Sequence, residues 1–264
     1  PATTTSTTTT TAPPKSTTTT TTPPRPASPS GVAMPIGDLP GWRQVFTDDF
    51  TQDIPLGQFT SATQGHWKPY PSPWRDTSGN GMYAPEAVVS VSGGVLDKYL
   101  HTRADGTAMV AAIQPMNGRD MLYGRYEVRA RMDAVDGYKV AWLLWPESRV
   151  WPRDGEIDFP EKDLNSSTVH GFVHHQGATV GSDQAAFRKT IDATQWHTYT
   201  IEWSPNLVVF YLDGVEFGRT TDRVPNTPMH WVIQTETVLN GQKPGAQTGH
   251  VQIDWVAIWA YDSA

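Results

Sequence analysis

Segments in which apolar and polar residues alternate at every second position run through most of this chain, and they constrain its fold more than any other feature. Residues 123–131 alternate in this way, and so do residues 196–203 and 251–261. Gly and Pro residues separate these segments, and no window of a dozen residues has the 3.6-residue apolar period and the end caps of a helix. The pattern therefore predicts an all-β sandwich fold.

The dipeptide Asp213-Gly214 lies between two such segments, 207–212 and 215–219. Asp-Gly between alternating runs is typical of a two-residue hairpin, because a primed turn needs positive φ at its central positions. We therefore expect the two segments to form neighbouring antiparallel strands.

The first 30 residues have a composition that does not support a folded core. They contain 14 Thr and 7 Pro, no acidic residue and no aliphatic side chain larger than Ala. Such a tract cannot bury enough apolar surface to offset its loss of entropy on ordering, and Thr/Pro tracts are typical of extended, often O-glycosylated spacers. We predict a disordered linker over residues 1–35, one folded domain over residues 36–264, and a secreted protein whose export signal is missing from this fragment.

Composition excludes several classes of protein. Without cysteine the chain has no disulfide framework, no Cys-ligated zinc or iron–sulfur cluster and no thiol nucleophile. Its net charge of −7 argues against binding to nucleic acid or to an anionic membrane, and no apolar run reaches the ~18 residues of a membrane span. Eleven Trp residues favour either an aromatic core or a flat apolar ligand such as a sugar ring.

Three acidic residues, Glu156, Asp158 and Glu161, form the pattern E-x-D-x-x-E. In a regular strand Glu156 and Asp158 share a face, whereas Glu161 points to the other face. One extra residue in a β-bulge returns Glu161 to the first face, and Pro160, which cannot donate a ladder hydrogen bond, favours a bulge there. The pattern therefore predicts three carboxyl groups on one face of a bulged strand.

Three carboxyl groups on one face suit the hydrolysis of a glycosidic bond with retention of configuration. That reaction needs two carboxyl groups ~5–5.5 Å apart, one as nucleophile and one as acid/base. Three neighbouring acids do not all ionise easily, so we expect at least one raised pKa, which suits the proton donor. The spacing alone is also compatible with a solvated acidic strand face or a calcium-binding loop.

The segment 155–161 resembles the signature of glycoside hydrolase family 16 in its bulged form, which laminarinase-like β-1,3-glucanases, agarases and carrageenases share. Further segments match other strands of that family in order, and together the matches cover most of residues 41–261. These further segments are 123–129, 138–145, 196–203, 210–214 and 253–256. The resemblance implies a jelly-roll sandwich of two antiparallel sheets with a concave substrate cleft across one face.

The resemblance also implies roles for individual residues. Glu156 would be the nucleophile, Glu161 the acid/base, and Asp158 the residue that assists the nucleophile. Five further residues match family positions that border the cleft or approach the acids, and we expect them to bind substrate. They are Trp151, Trp142, His174, Arg129 and Gln234. The structural alternatives are a core position for a tryptophan or for the histidine, and a surface ion pair for the arginine.

Three departures from the family pattern lie near the expected substrate-binding strands. Lys139 and Trp145 each stand where the family has proline, and residues 232–237 read V-I-Q-T-E-T instead of N-L-A-V-G-G. These departures preserve the acidic triplet, but they leave the identity of the polysaccharide open.

Family members often bind one calcium ion on the convex side, far from the catalytic acids. The matching positions are the Asp254 side chain and the backbone oxygens of Asp49 and Gly94, and oxygen ligands from scattered loops suit calcium. The alternative for Asp254 is a hydrogen-bonding residue at a strand end. We expect no cofactor to be required for catalysis.

Together, the residues and the resemblance predict a retaining, endo-acting glycoside hydrolase of a β-linked polysaccharide, with a β-1,3-glucan or a mixed β-1,3/1,4-glucan as the leading substrate. The enzyme alternatives are the same mechanism on agarose, a carrageenan or another galactan, and a transglycosylase that uses the same covalent intermediate. The non-enzyme alternative is a carbohydrate-binding jelly roll. The expected partner is a polysaccharide, without nucleic acid or a membrane span, and nothing in the sequence requires more than a monomer.

Overall fold

The computed structural model describes residues 1–3 and 28–262, in which the chain forms seventeen strands and two short helices. The strands are β1 (Trp42–Asp48), β2 (Trp67–Pro69), β3 (Gly81–Tyr83), β4 (Val89–Ser92), β5 (Val95–Thr102), β6 (Ala108–Val110), β7 (Ala112–Pro115), β8 (Gly124–Met132), β9 (Tyr138–Pro146), β10 (Glu156–Asp163), β11 (Thr168–His174), β12 (Gln184–Thr190), β13 (His197–Ser204), β14 (Leu207–Leu212), β15 (Val215–Thr220), β16 (Met229–Thr237) and β17 (Gly249–Tyr261). The helices are α1 (Phe59–Ala62) and α2 (Pro85–Val88), and neither described helix is long enough to cross a membrane. Most of the predicted linker, residues 4–27, lies outside the described residues.

The strands form two sheets that share one core, which confirms the predicted all-β sandwich. The first, here called the outer sheet, has the strand order β15-β14-β13-β8-β17-β5-β6-β3, with β1 paired to β17 and β4 paired to β5. The second, here called the cleft sheet, has the order β12-β11-β10-β9-β16-β7-β2. Neighbouring strands are antiparallel, except for the parallel pair β3 and β6.

Alternate residues of the facing strands fill the space between the sheets. On β8, Tyr126, Val128 and Ala130 are fully buried, as the period-two pattern predicts. Six of the eleven tryptophans are buried, so the core accounts for most of the Trp surplus. Burying one large apolar side chain contributes about 1.5–3 kcal/mol, and these residues therefore hold the two sheets together.

The hairpin predicted at Asp213-Gly214 is confirmed. Asp213 has a φ of 52° and Gly214 a φ of 75°, and Leu212 pairs with Val215 across the turn. Positive φ at both central positions is typical of the primed turn, whose twist matches that of the flanking strands.

The described part of the predicted linker, residues 28–35, packs against the outer sheet. The Ser28 hydroxyl donates a hydrogen bond to the Asp254 carboxylate, and the Trp255 indole N–H donates to the Val32 carbonyl oxygen over 2.8 Å. The folded part therefore includes residues 28–35, contrary to the predicted boundary. Hydrogen bonds to polar and backbone groups hold this segment, and an apolar pattern does not report such bonds.

A buried lysine joins the two sheets. Lys98 on β5 is fully buried, and its Nζ donates to the carbonyl oxygens of Ile233 on β16 at 2.6 Å and of Ala111 at 3.3 Å. Burial lowers the pKa of Lys98 to about 7. The charged form of Lys98 is therefore unfavourable in the folded protein, although the Nζ group donates these two hydrogen bonds.

Candidate active site

Strand β10 carries the three acids, and its pairing confirms the predicted bulge. Asp158 lies opposite Leu143 of β9, and Glu161 lies opposite Ala141. Three steps along β10 therefore correspond to two steps along β9, and the register against β11 shifts at the same place. The extra residue returns Glu161 to the face that carries Glu156 and Asp158.

The residues between the acids anchor the strand in the core. Ile157 and Phe159 are 0% and 1% exposed, and the Phe159 ring lies 5.5 Å from the ring of Tyr199 on the outer sheet. Because successive side chains of a strand point to opposite faces, this anchoring turns Glu156 and Asp158 away from the core.

The acid-bearing face of the cleft sheet is the floor of a cleft of about 680 Å³. All three acids line this cleft, together with three of the five residues that the resemblance assigned to substrate binding. Those three are Trp151, His174 and Gln234. Gln234 on β16 lies opposite Ala141, which in turn lies opposite Glu161, so Gln234 stands two strands from the expected acid/base.

A second cavity, of about 660 Å³, lies beside β2 and the two helices. Its wall is mostly apolar and includes Trp67, Met82 and Met109, and Glu86 is the single carboxylate among its described lining residues. Because retaining glycoside hydrolysis needs two carboxyl groups, the candidate active site is the cleft with the three acids and not this cavity.

Burial and mutual repulsion raise the pKa values of the two inner acids. Burial, followed by the charge of Asp158, holds the pKa of Glu156 well above its usual range, against the opposing effect of His174. Burial, followed by the charge of Glu161, holds the pKa of Asp158 well above its usual range. Asp158 is the deeper of the two, at 2% exposed. A side-chain hydrogen bond between the two acids further raises the pKa of Glu156 and partly lowers that of Asp158. A raised pKa was expected for the proton donor, whereas here the raised pKa values belong to Glu156 and Asp158.

His174 approaches both inner acids from β11. Its Nδ1 donates to the Gly181 carbonyl oxygen over 2.7 Å, so Nε2 faces the acids, 3.3 Å from Asp158 Oδ2 and 3.9 Å from Glu156 Oε2. Within residues 28–262, these three side chains are the one acidic and histidine group close enough to hold a metal ion. A Cβ on Gly181 would lie 2.2 Å from the Trp151 ring, so glycine is needed for Trp151 to cover this position.

Two aromatic pairs line the cleft near the acids. Trp151, which is 41% exposed, stacks on Trp145 with ring centroids 6.2 Å apart and meets His174, the residue opposite Glu156. Trp74, which is 57% exposed, meets Tyr70 edge to face at 5.7 Å, and Tyr70 meets Tyr83, whose hydroxyl donates to Glu236. Exposed aromatic faces suit sugar rings. Trp74, Tyr70 and Trp145 were not predicted as site residues, although a Trp in the Pro-rich segment 71–74 was an available signal.

The prediction that Trp142 borders the cleft is wrong. Trp142 on β9 is fully buried, and its ring centroid lies 6.1 Å from that of Tyr199 on the outer sheet. Its strand neighbours Ala141 and Leu143 line the cleft. Because neighbouring residues of a strand alternate between faces, Trp142 must point into the core.

The prediction that Arg129 lies in the cleft is also wrong. Arg129 is on β8 of the outer sheet, where its Nε donates to Ser30 Oγ at 3.0 Å and its Nη1 donates to Thr198 Oγ1 at 3.1 Å. Its guanidinium lies 3.6 Å from the Asp213 carboxylate. These partners belong to the sheet opposite the acids, so Arg129 is the surface ion-pair residue of the structural alternative.

Asp254, the one side chain among the expected calcium ligands, is 1% exposed, and its Oδ2 accepts hydrogen bonds from the Ser28 hydroxyl and the Ser30 N–H. These bonds fit the alternative in which Asp254 is a hydrogen-bonding residue. The calcium site with Asp49 and Gly94 stays a prediction, and no chemical step passes through it.

A family model described as "Glycosyl hydrolases family 16" matches residues 98–257. Among similar proteins, a "Beta-glucanase" of Rhodothermus marinus is 27% identical over 243 residues, which cover 81% of this chain and 80% of that protein. A "Keratan-sulfate endo-1,4-beta-galactosidase" of Sphingobacterium multivorum is 33% identical over 166 residues, which cover 56% of this chain. The chain spans only 39% of the length of that second relative.

Solved structures resemble the fold over most of the chain. An endo-1,3-beta-glucanase from Streptomyces sioyaensis superposes with a TM-score of 0.72 at 20% identity, covering 88% of this chain and 100% of that one. The laminarinase from Rhodothermus marinus superposes with a TM-score of 0.69 at 22% identity, covering 84% and 98%. At such identities the likeness concerns the fold, and it confirms the jelly-roll sandwich.

Proposed function

This chain belongs to glycosyl hydrolase family 16, and we propose that it is a retaining, endo-acting hydrolase of a β-linked glucan with β-1,3 or mixed β-1,3/1,4 linkages. Membership of the family makes the chain a glycosidase. One observation carries the proposal: the bulged strand β10 brings Glu156, Asp158 and Glu161 to one face, on the floor of the cleft.

The arrangement supports a double displacement. Glu156, in its carboxylate form, attacks the anomeric carbon while Glu161 protonates the oxygen of the departing sugar. The glycosidic C–O bond breaks and a covalent glycosyl-enzyme forms. Glu161, now a carboxylate, then takes a proton from water, and that water attacks the anomeric carbon and releases Glu156.

The aromatic side chains support endo action. An endo-acting enzyme binds sugar rings on both sides of the bond that it cleaves. The pair Trp145 and Trp151 lies at the Glu156 end of the triplet. Trp74 with Tyr70 lies towards Glu236, which stands opposite Lys139, the partner of Glu161. A polymer that contacts both aromatic pairs is cut within its length.

The names of similar proteins favour a glucan as the polymer. The Rhodothermus relative is named a beta-glucanase, and the two solved structures are named a glucanase and a laminarinase. A β-galactan is the second candidate, because a keratan-sulfate galactosidase shares 33% identity. The cleft is lined by five acidic and two basic residues, and this excess of negative charge disfavours a densely sulfated polymer.

A panel of polysaccharides tests the proposal. Release of reducing ends is measured on laminarin, lichenan, agarose, carrageenan and keratan sulfate, with the Glu156→Gln variant as the matched control. We expect activity on laminarin or lichenan that the variant lacks. Activity confined to the galactans would contradict the glucan assignment, and activity retained by Glu156→Gln would contradict the site.

We also propose that the protein acts outside the cell and as a monomer. The Thr/Pro-rich composition of residues 1–30 supports an extracellular spacer. Fractionation of the native host should recover the protein outside the cells, and light scattering should give the mass of one chain, 29.1 kDa without glycans. An intracellular or dimeric protein would contradict the respective part of this proposal.

A further inference from the structure

Lys139 forms an ion pair with the acid/base residue in the wall of the cleft. Its Nζ lies 2.6 Å from Glu161 Oε1 and donates a hydrogen bond to it. Lys139 is among the residues that line the cleft, but it is only 5% exposed, whereas a quarter of the Glu161 side chain is exposed. The Lys139 side chain is therefore largely screened from solvent while its ammonium contacts Glu161.

The partner of Lys139 on the next strand is a second buried carboxylate. Glu236 on β16 lies directly opposite Lys139 on β9, and it is 1% exposed. Burial alone would lower the pKa of Lys139, but the carboxylates of Glu161 and then Glu236 hold that pKa above its ordinary value. Lys139 thus stays charged between one buried and one cleft-facing acid.

Glu236 is itself fixed in place by donors from the wall of the cleft. Its Oε1 accepts hydrogen bonds from the Tyr83 hydroxyl at 2.6 Å, from the Thr77 hydroxyl at 2.8 Å and from the Thr77 N–H at 3.2 Å. Burial, and then the charge of Glu236, raises the pKa of Tyr83, so that hydroxyl keeps its proton and remains a donor. Glu236 is therefore fixed by the wall of the cleft at the position opposite Lys139, and Lys139 in turn contacts Glu161.

We propose that Lys139, with Glu236 as its fixed counterion, is a positioning residue that holds Glu161 by Oε1 and leaves Oε2 to carry the proton that is transferred. The proposal rests on the function proposed above, because it concerns the acid/base of that reaction. Both members of the pair depart from the family pattern, in which their positions are proline and glycine. The pair of Lys139 and Glu236 beside Glu161 is thus a property of this chain and not of the family pattern.

Holding one oxygen of Glu161 affects both half-reactions. In the first, the proton leaves Oε2 for the departing sugar oxygen as the glycosidic bond breaks and the bond from Glu156 to the anomeric carbon forms. In the second, Oε2 takes a proton from water as the water oxygen bonds to that carbon and Glu156 is released. Lys139 keeps Oε2 at one place through both steps, and its charge stabilises the carboxylate that forms between them.

The variant Lys139→Met tests the proposal, and the pH dependence of kcat/KM on a laminarin oligosaccharide is the main measurement. The basic limb of that profile reports loss of the proton from the donor. The groups that face the pair are Asp158 on β10, Glu236 on β16, and His170, which lies opposite Glu161 on β11. All three remain in the variant, so removal of the ammonium should move the basic limb upward by about one pH unit.

Leaving-group dependence provides a second measurement on the same variant. We expect Lys139→Met to lose about 10- to 100-fold in kcat/KM on the oligosaccharide. The loss should be several-fold smaller on an activated aryl glycoside of the same sugar, because its departure needs little protonation. A variant that has lost only structural support would lose both substrates equally and keep the basic limb in place.

Lys162→Met is the matched control. Lys162 is the next residue on β10 and is 3% exposed, but its Nζ donates to the backbone carbonyls of Asp163 and Leu164 and not to an acid. We expect this variant to lose stability while its basic limb and its ratio between the two substrates stay as in the parent. An equal shift of the limb in Lys162→Met would overturn the proposal.

Glu236→Gln decides the question if Lys139→Met does not fold. Removing this negative charge leaves Glu161 as the remaining close counterion of the Lys139 ammonium, so the basic limb should move downward, opposite to the shift in Lys139→Met. A limb that stays in place or moves upward would overturn the proposal. Failure of the proposed function is distinct from either result, since the parent enzyme would then cleave neither laminarin nor lichenan.

Discussion

Replacing Lys98 with methionine should change how the stability of this protein depends on pH. Lys98 is fully buried between the sheets, with no carboxylate among the causes of its shift, and its pKa falls from 10.5 to about 7. Methionine has a similar length and no charge, and it loses two hydrogen bonds to the carbonyl oxygens of Ile233 and Ala111.

The magnitude follows from the difference between the folded and unfolded pKa values. A shift from 10.5 to about 7 corresponds to ~5 kcal/mol at 1.36 kcal/mol per unit. Between these values the unfolded chain binds more protons than the folded chain, so the parent gains about 1.4 kcal/mol of stability per pH unit as the pH rises. Below pH 7 both states are protonated and the full penalty applies. Two lost hydrogen bonds cost about 1 kcal/mol each, so Lys98→Met should be the more stable protein by a few kcal/mol at pH 6.

Denaturant unfolding at pH 6, 7, 8 and 9 measures this difference. The advantage of Lys98→Met should fall by about 2.3 kcal/mol between pH 7 and pH 9, because Lys98 is half protonated in the folded protein at pH 7. This change is equivalent to roughly 5–9 °C in Tm for a domain of this size. Lys68→Met is the control, because Lys68 is exposed on β2 and its removal should give a difference that does not vary with pH. A stability difference between Lys98→Met and the parent that stays constant across this range would refute the reasoning.

Three further changes test other parts of the structure. Deleting residues 1–27 should leave Tm unchanged, whereas deleting residues 1–35 should lower Tm by roughly 5–10 °C. The longer deletion removes the packed segment 28–35 and the hydrogen-bond donors to the buried Asp254 carboxylate. Thermal unfolding of both truncated proteins measures the difference, and equal Tm values would contradict the packing of residues 28–35. Inserting one residue after Pro160 should turn Glu161 away from the cleft and abolish turnover of glucan while an activated aryl glycoside loses less; equal loss in a folded protein would show that Glu161 is not the acid. Glu156→Gln should keep its fold and its sugar binding, measured by calorimetry, but its kcat should fall by several orders of magnitude, measured by release of reducing ends. A near-parental kcat would contradict the role of Glu156 as nucleophile.

The bulge on β10 could be predicted from sequence because it depends only on local geometry. Alternation places Glu156 and Asp158 on one face, and Pro160 marks where one residue falls out of register, so the face of Glu161 follows. The hairpin at Asp213-Gly214 is local in the same sense. Features of this kind need no knowledge of which strands become neighbours.

The faces of Trp142 and Arg129 could not be predicted with the same certainty. Strand β9 is buried on nearly all of its length, so alternation of hydrophobicity, which would have told the core face from the cleft face, is absent there. Arg129 lies on a strand with clear alternation, but the pattern does not say to which of the two sheets the strand belongs. The resemblance placed both residues in the cleft. In the structure Arg129 belongs to the outer sheet, and Trp142 is on the cleft sheet but points to its core face.

The contact of Lys139 with Glu161 and the pairing of Lys139 with Glu236 could not be predicted from the sequence either. Lys139 and Glu236 lie far apart in the sequence and become neighbours only when β9 pairs with β16. Each appeared in the sequence as an isolated departure from the family pattern. Only the sheet register shows that the two departures compensate each other in charge beside the acid/base.

The anomeric configuration of the first product tests the central claim most directly, because it reports the arrangement of Glu156 and Glu161 without any substitution. Proton NMR during the first minutes of laminarin hydrolysis, before mutarotation, distinguishes the two anomers at the new reducing end. A covalent intermediate on Glu156 predicts that the β-anomer appears first and the α-anomer only later. An initial α-anomer would mean inversion by a directly attacking water, and it would contradict the assignment of Glu156 as the nucleophile.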